Sequence, residues 1–158
     1  MDQTFMKEKP IFRLVLSMSL PMVLSMLISA LYNIVDSYFV AKISEEAMTA
    51  LSLVYPMQLL ETAIAGGFGV GMNAVAAFHL GAKQEDKAND TVSVSMVLTL
   101  VHGIVMTLLF LLLAPSFLSL FTEDAVILQY GTTYSYIVFS FVIPYFISIT
   151  LEKLFQAE

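Results

Sequence analysis

Four long stretches of this chain contain no Asp, Glu, Lys or Arg: Leu14 to Val35, Thr62 to Ala82, Thr91 to Thr122 and Ala125 to Leu151. Each reaches the roughly 20 residues that a helix needs to cross about 30 Å of hydrocarbon. In that solvent every backbone N–H and C=O must find its partner within the protein, so α-helix is the form open to an isolated apolar segment. A soluble fold of 158 residues would bury one such helix, at most two; four in succession leave too little polar sequence to cover them. Composition agrees, with 58% hydrophobic residues and a mean hydropathy of +0.83, against the roughly 45–50% apolar content of soluble domains.

The expected fold class is therefore an all-α integral membrane bundle of about four transmembrane helices, over residues 10–40, 46–80, 91–113 and 123–157. Pro10 suits a helix start, because its missing N–H would be unpaired there in any case. Pro21, Pro56 and Pro144 are candidate bends, since none can donate to the carbonyl four residues back. Ser44 is placed to cap the second helix, with Glu45 and Glu46 in its first turn, where the helix dipole favours negative charge. The segment GAKQEDKAND, residues 81–90, reads as a solvated turn, with Gly81 ending one helix and Asp90 capping the next. Ala114-Pro115 reads as a break before an interfacial stretch, Ser116 to Phe121, and Thr122-Glu123-Asp124 as the cap of the last helix.

Several functions are excluded early. The chain has no cysteine, which removes disulfides, thiolate metal clusters and thiol nucleophiles together. His79 and His102 stand alone, with no second His three or four residues away, so no metal site is expected. No nucleophile, base and oxyanion set can be assembled, so no enzyme, no cofactor and no nucleic-acid partner is expected. The run GGFGVG, residues 66–71, lies inside an apolar helix with no strand before it and is not a nucleotide fingerprint. The first apolar run is too long for a signal-peptide core and lacks an Ala-x-Ala site after it, so it is expected to be retained as a helix. Small residues around Gly66, Gly67, Gly69 and Gly71 point to close helix packing.

Six of the seven basic side chains fall on one side of this topology: Lys7, Lys9 and Arg13 before the first helix, Lys83 and Lys87 between the second and third, and Lys153 at the end of the fourth. Only Lys42 falls on the other. That bias predicts a multi-pass protein of the cell membrane with both termini in the cytoplasm.

An ionisable residue inside a spanning helix costs roughly 2.5–3.5 kcal/mol on insertion scales, so it faces protein or water and is a functional candidate by default. Two acids qualify, Asp36 and Glu61. At about 100° per residue, Ser25, Ser29, Tyr32, Asn33 and Asp36 share an arc of about 100° on the first helix. Asp36 supplies negative charge for a cation or a proton, and Asn33 lies one turn away to hydrogen-bond it; hydration at the outer interface is the alternative. Glu61, with Gln58 one turn before it, forms a second polar patch, and with Tyr32 these are candidates for a substrate or proton site. A Glu paired with another helix is the alternative there. Tyr130, Tyr134, Tyr136 and Tyr145 on the last helix are candidates to contact aromatic or cationic compounds, or to anchor and pack.

A proline-containing first helix ending in Asn33-Ile34-Val35-Asp36-Ser37-Tyr38-Phe39-Val40, followed by GFGVGMNAVAAFHLGAKQEDKAND, resembles the MATE family of multidrug and toxic compound extrusion transporters. The resemblance covers essentially the whole chain. It implies a partial N-terminal lobe of a bundle that in the family has twelve helices in two lobes. It also implies secondary active export of cationic amphipathic compounds in exchange for Na+ or H+, with Asp36 matching the coupling acid of the family's first helix and Asn33 its neighbour. On this reading the chain is truncated and inactive alone, and its partners are cationic small molecules, the lipid bilayer and the missing transporter helices or another chain. Two other readings stand beside it: a membrane interaction module that transports nothing, and a lipid-linked saccharide flippase. The absence of Arg or Lys within the apolar runs speaks against the flippase.

Overall fold

The computed structural model describes residues 10–155, apart from the side chains of Leu14, Met18, Pro21, Met22, Ser25 and Ser29. The expected leader, Met1 to Lys9, lies outside the described residues. Five helices follow in order: α1 (Ile11–Ala41), α2 (Glu45–Gly81), α3 (Glu85–Ser119), α4 (Ala125–Phe139) and α5 (Val142–Phe155). The chain divides into two compact units, Met1–Met48 and Thr49–Glu158, with α2 beginning in the first and continuing through the second.

In the first unit α1 is helical without interruption through Pro21. It ends on Lys42, whose ammonium lies 4.5 Å from the centre of the Tyr38 ring, a cation–π contact. Ser44 caps α2 as expected, its Oγ accepting from the Ala47 amide at 3.1 Å, and Glu45 and Glu46 occupy the first turn.

In the second unit α3 runs antiparallel to α4 and α5. Going down α3 while climbing the other two, Leu118 faces Gly131, Phe110 stacks on Phe139 with ring centres 4.6 Å apart, Gly103 faces Ile143, and Thr99 bonds Thr150. Helix α2 runs parallel to α4 and α5: Gln58 reaches Tyr134, Thr62 meets Tyr145, and Gly69 and Asn73 meet Lys153. The core joins Val54, Met57 and Ala65 of α2 to Phe110, Ala114 and Leu118 of α3 and to Phe139, Val142 and Phe146. Outside it the large apolar side chains face outwards, among them Val97, Leu112, Ile137 and Phe141. A surface of that kind suits lipid rather than water.

Helices α2 and α3 are each long and apolar enough to cross a membrane; α4 and α5, bent by 48° at their break, reach that length and apolarity together, as a broken span or a re-entrant loop. Along α1 the apolar stretch within the described residues is Met26–Ala41. At 37 and 35 residues, α2 and α3 measure on the order of 50 Å, so each tilts or protrudes.

Both ends of α3 and the continuity of the last helix differ from expectation. Helix α3 starts at Glu85, not near Thr91, because Ala88 packs into the protein and Glu85 and Asp86 suit the first turn. Asp90 is accordingly helical and not a cap, and Thr91 and Ser93 bond back to the carbonyls of Lys87 and Asn89. Pro115 does not break α3, since Ala114 and Leu118 on either side of it are buried in the core and hold the last turn helical to Ser119. The expected interfacial stretch is thus partly α3 itself. The single last helix is two, α4 and α5: Pro144 cannot donate to the Ser140 carbonyl, and the chain bends at residues 140–141.

The turn after α2 also departs in detail. Lys83, not Gly81, adopts the left-handed conformation, with φ of 58°. Its amide bonds the Leu80 carbonyl and the Gln84 amide bonds His79, the double closure of a Schellman motif. Asp124 caps α4 as expected, its Oδ1 accepting from Val126 and Ile127 at 2.8 and 3.2 Å.

Candidate functional site

The buried positions of α2 are Ala47, Ala50, Val54, Met57, Glu61, Ala65, Gly69, Met72 and Ala76. They recur every three or four residues, the spacing of one helix face. Glu61 is the one acid on that face and is 6% exposed. It lies near the middle of α2, between Met57 and Ala65 of the core. Its carboxyl makes no hydrogen bond or ion pair among the described residues.

Polar contacts between helices flank it on both sides. One turn before, Gln58 Nε2 donates to the Tyr134 hydroxyl of α4 at 3.4 Å. At the next position, the Tyr145 hydroxyl of α5 donates to Thr62 Oγ1 at 3.3 Å. The structure therefore brings Gln58 and Glu61 together with two of the four candidate tyrosines, while Tyr130 and Tyr136 face outwards. Thr62, and the pairing of Tyr134 and Tyr145 with α2, do not emerge from sequence reasoning. The available signal is the spacing of α2's small and polar residues, which places position 61 on the buried face.

In the first unit Asp36 is half-buried on α1, whereas Asn33 and Tyr32 are exposed, Tyr32 at 73%. The side chains of Ser25 and Ser29 lie outside the described residues, so the polar face of α1 is seen only in its second half.

A groove of about 710 Å³ opens between α2 and α3. Phe68, Met72, Val75 and Val94 form its apolar walls, and His79, Lys87 and Asp90 its rim. Gly67 and Gly71 line it and touch nothing within 4 Å of a built Cβ, and Gly66 is equally open. Of the four glycines expected to pack, Gly69 alone does so among the described residues, its Cβ position lying 2.9 Å from Lys153 Cγ. His102 packs against Phe68 with the rings tilted by 41°, and its Nδ1 bonds the Leu98 carbonyl, while His79 bonds Gln84. No group of three His, Cys, Asp or Glu able to hold a metal comes together among the described residues. The GGFGVG run is helical throughout.

Long apolar helices, an outward-facing apolar surface and intramembrane polar pairs define a multi-pass α-helical membrane protein. Comparison with known proteins is more specific: the MatE family profile matches residues 21–158, and the chain belongs to that family, the MATE transporters. It is 30% identical over 147 residues to the multidrug export protein MepA of Staphylococcus haemolyticus, covering 90% of this chain and 32% of that protein. It is 30% identical over 114 residues to MepA of Staphylococcus aureus strain MRSA252, 72% of this chain and 24% of that protein. It is 26% identical over 100 residues to an FAD transporter of Shewanella oneidensis, 63% of this chain and 22% of that protein. The chain thus spans at most about a third of the length of these relatives. No solved structure matches.

Proposed function

We propose that this chain forms part of a secondary active exporter of cationic amphipathic compounds, driven by exchange for Na+ or H+, with Asp36 responding to the coupling ion and Asn33 as its neighbour. The observation that carries the reading is the family match over residues 21–158, together with relatives named as multidrug export proteins. A half-buried acid on α1 is consistent with it, since intramembrane acids are costly and tend to mark ion pathways.

Orientation follows from the same reading. Lys83, Lys87 and Lys153 gather at the end of the second unit where α2 and α5 finish and α3 begins, and Glu123 and Asp124 sit at the opposite end. The positive-inside bias puts the lysine end in the cytoplasm of the producing cell. The FAD transporter supports a second reading, export of a flavin dinucleotide; an anion of that kind would have to pass the acids Asp36 and Glu61, which weighs against it.

The test is energised efflux of a fluorescent organic cation from drug-sensitive cells. It compares the 158-residue chain with a chimera in which it replaces the matching segment of the S. haemolyticus relative, each with and without Asp36→Asn. Efflux by the chimera that is lost with Asp36→Asn is the expected result. Undiminished efflux with Asp36→Asn would remove Asp36 from coupling, and efflux of FAD but not of the cation would favour the second reading.

A further inference from the structure

We infer that Glu61 is the centre of a cation site additional to Asp36, one that takes a single small monovalent cation, a proton or a sodium ion, at mid-length of α2. A bare carboxylate is strongly disfavoured in hydrocarbon unless it is paired. Glu61 is more than nine-tenths buried, sits on the apolar core face between Met57 and Ala65, and has no protein partner among the described residues.

The titratable and charged groups of the packed elements do not neutralise it. On α3, His102 packs edge-tilted against Phe68 and is bonded to the Leu98 carbonyl. On α5, Lys153 pairs with Glu152 at 3.2 Å. On α2 itself His79 is held by Gln84, five turns from Glu61, and Lys83 and Lys87 lie beyond it at the α2–α3 turn. Facing α2 near Glu61 are the phenols of Tyr134 and Tyr145, joined to Gln58 and Thr62. These groups bring no charge but do bring oxygen lone pairs to positions within one helical turn of Glu61 along α2, the donor type that hard cations prefer.

The occupant is small because of the packing. The groove that could admit an organic cation is walled by residues from Gly67 onwards and does not include Glu61. The inference requires that α2 lies in a membrane and that no basic side chain pairs with Glu61; it does not depend on the export reading.

Infrared spectroscopy of the 158-residue chain in lipid nanodiscs, with isotope-labelled glutamate, tests it. Wild type, Glu61→Gln and Asp36→Asn are compared with sodium chloride or choline chloride over a pH series. The expected result is one glutamate carboxyl signal, absent from Glu61→Gln and retained in Asp36→Asn. A signal that shifts with sodium and not with choline assigns a sodium ion. One that changes between acid and carboxylate bands with pH, apart from the exposed glutamates and indifferent to sodium, assigns a proton. Glu61→Asp keeps the carboxyl while removing the labelled signal, and so preserves the assignment if Glu61→Gln does not assemble. A Glu61 signal that ignores sodium and titrates together with exposed glutamates such as Glu85 overturns the inference. Loss of the Asp36 dependence of export, with this signal intact, would defeat the coupling reading and leave this one standing.

Discussion

Gly103 is the position where adding a single methyl group should most clearly reveal how α3 and α5 pack. A Cβ built there lies 3.2 Å from Ile143 Cγ1 and 3.3 Å from Ile143 Cα, a few tenths of an ångström inside the roughly 3.5–4.0 Å optimum for carbon pairs. The Cγ1 can rotate away, but the Cα belongs to the backbone of α5 and cannot move without the helix. Two terms oppose each other in Gly103→Ala: helix propensity favours Ala by about 1 kcal/mol, and overpacking against backbone costs about 1–3 kcal/mol. The net expectation is a loss of about 0–2 kcal/mol. Gly67→Ala is the control, because nothing lies within 4 Å of its Cβ and only the favourable term applies. The two variants should therefore differ by about 1–3 kcal/mol, and Gly103→Val, with two further methyls in the same contact, should lose more. Unfolding of the chain in mixed micelles by increasing fractions of dodecyl sulfate measures the difference. If both alanine variants move the midpoint equally and in the same direction, the close α3–α5 approach is wrong.

Three further outcomes follow from the same contacts. Thr99 and Thr150 share a buried 2.8 Å hydroxyl bond, so valine at either costs about 0.6 kcal/mol and no more than about 1.7. The double replacement should cost no more than one of the singles, a coupling that the four-variant unfolding cycle would reveal. Asp124→Ala removes the oxygen that caps α4 and costs about 1 kcal/mol, with faster hydrogen exchange at the Val126 and Ile127 amides, whereas Asp124→Asn keeps most of the cap. Lys83→Gly relieves a left-handed conformation unfavourable to a residue with a Cβ and should raise stability by about 1 kcal/mol, read in the same micelle assay.

The helices were largely legible from charge-free runs because a membrane leaves the backbone few alternatives. The ends were less so, because each depends on contacts that the local sequence does not display. Asp90 looks like a cap, but Ala88 is buried two residues earlier, and that packing carries the helix back to Glu85. Pro115 looks like a stop, yet it removes only one backbone donor, and Ala114 and Leu118 fix the turn around it from outside the segment. Pro144 does correspond to a real bend, but the break falls at residues 140–141, where the acceptor it deprives resides. Proline thus indicates where a backbone bond is lost, and tertiary packing decides whether the helix yields there.

The same division separates the two acids. Asp36 stands out in sequence because polar residues cluster around it at helical spacing, and the signature Asn33 to Val40 carries a family resemblance. Glu61 has only Gln58 as a polar neighbour on its face and no family motif to point to it. What singles it out is spatial: its place on the buried stripe from Val54 to Ala76, and two tyrosines arriving from α4 and α5, more than 70 residues away in the chain, that join its helix neighbours and leave the carboxyl without a partner among the described residues. Of the four tyrosines on the last two helices, the sequence does not separate these from Tyr130 and Tyr136, because which face of α4 and α5 turns inward depends on the bend at residues 140–141. A carboxyl left unpaired inside a helix bundle is expensive wherever it occurs, and its retention here is the physical reason to look for a cation at Glu61 as well as at Asp36.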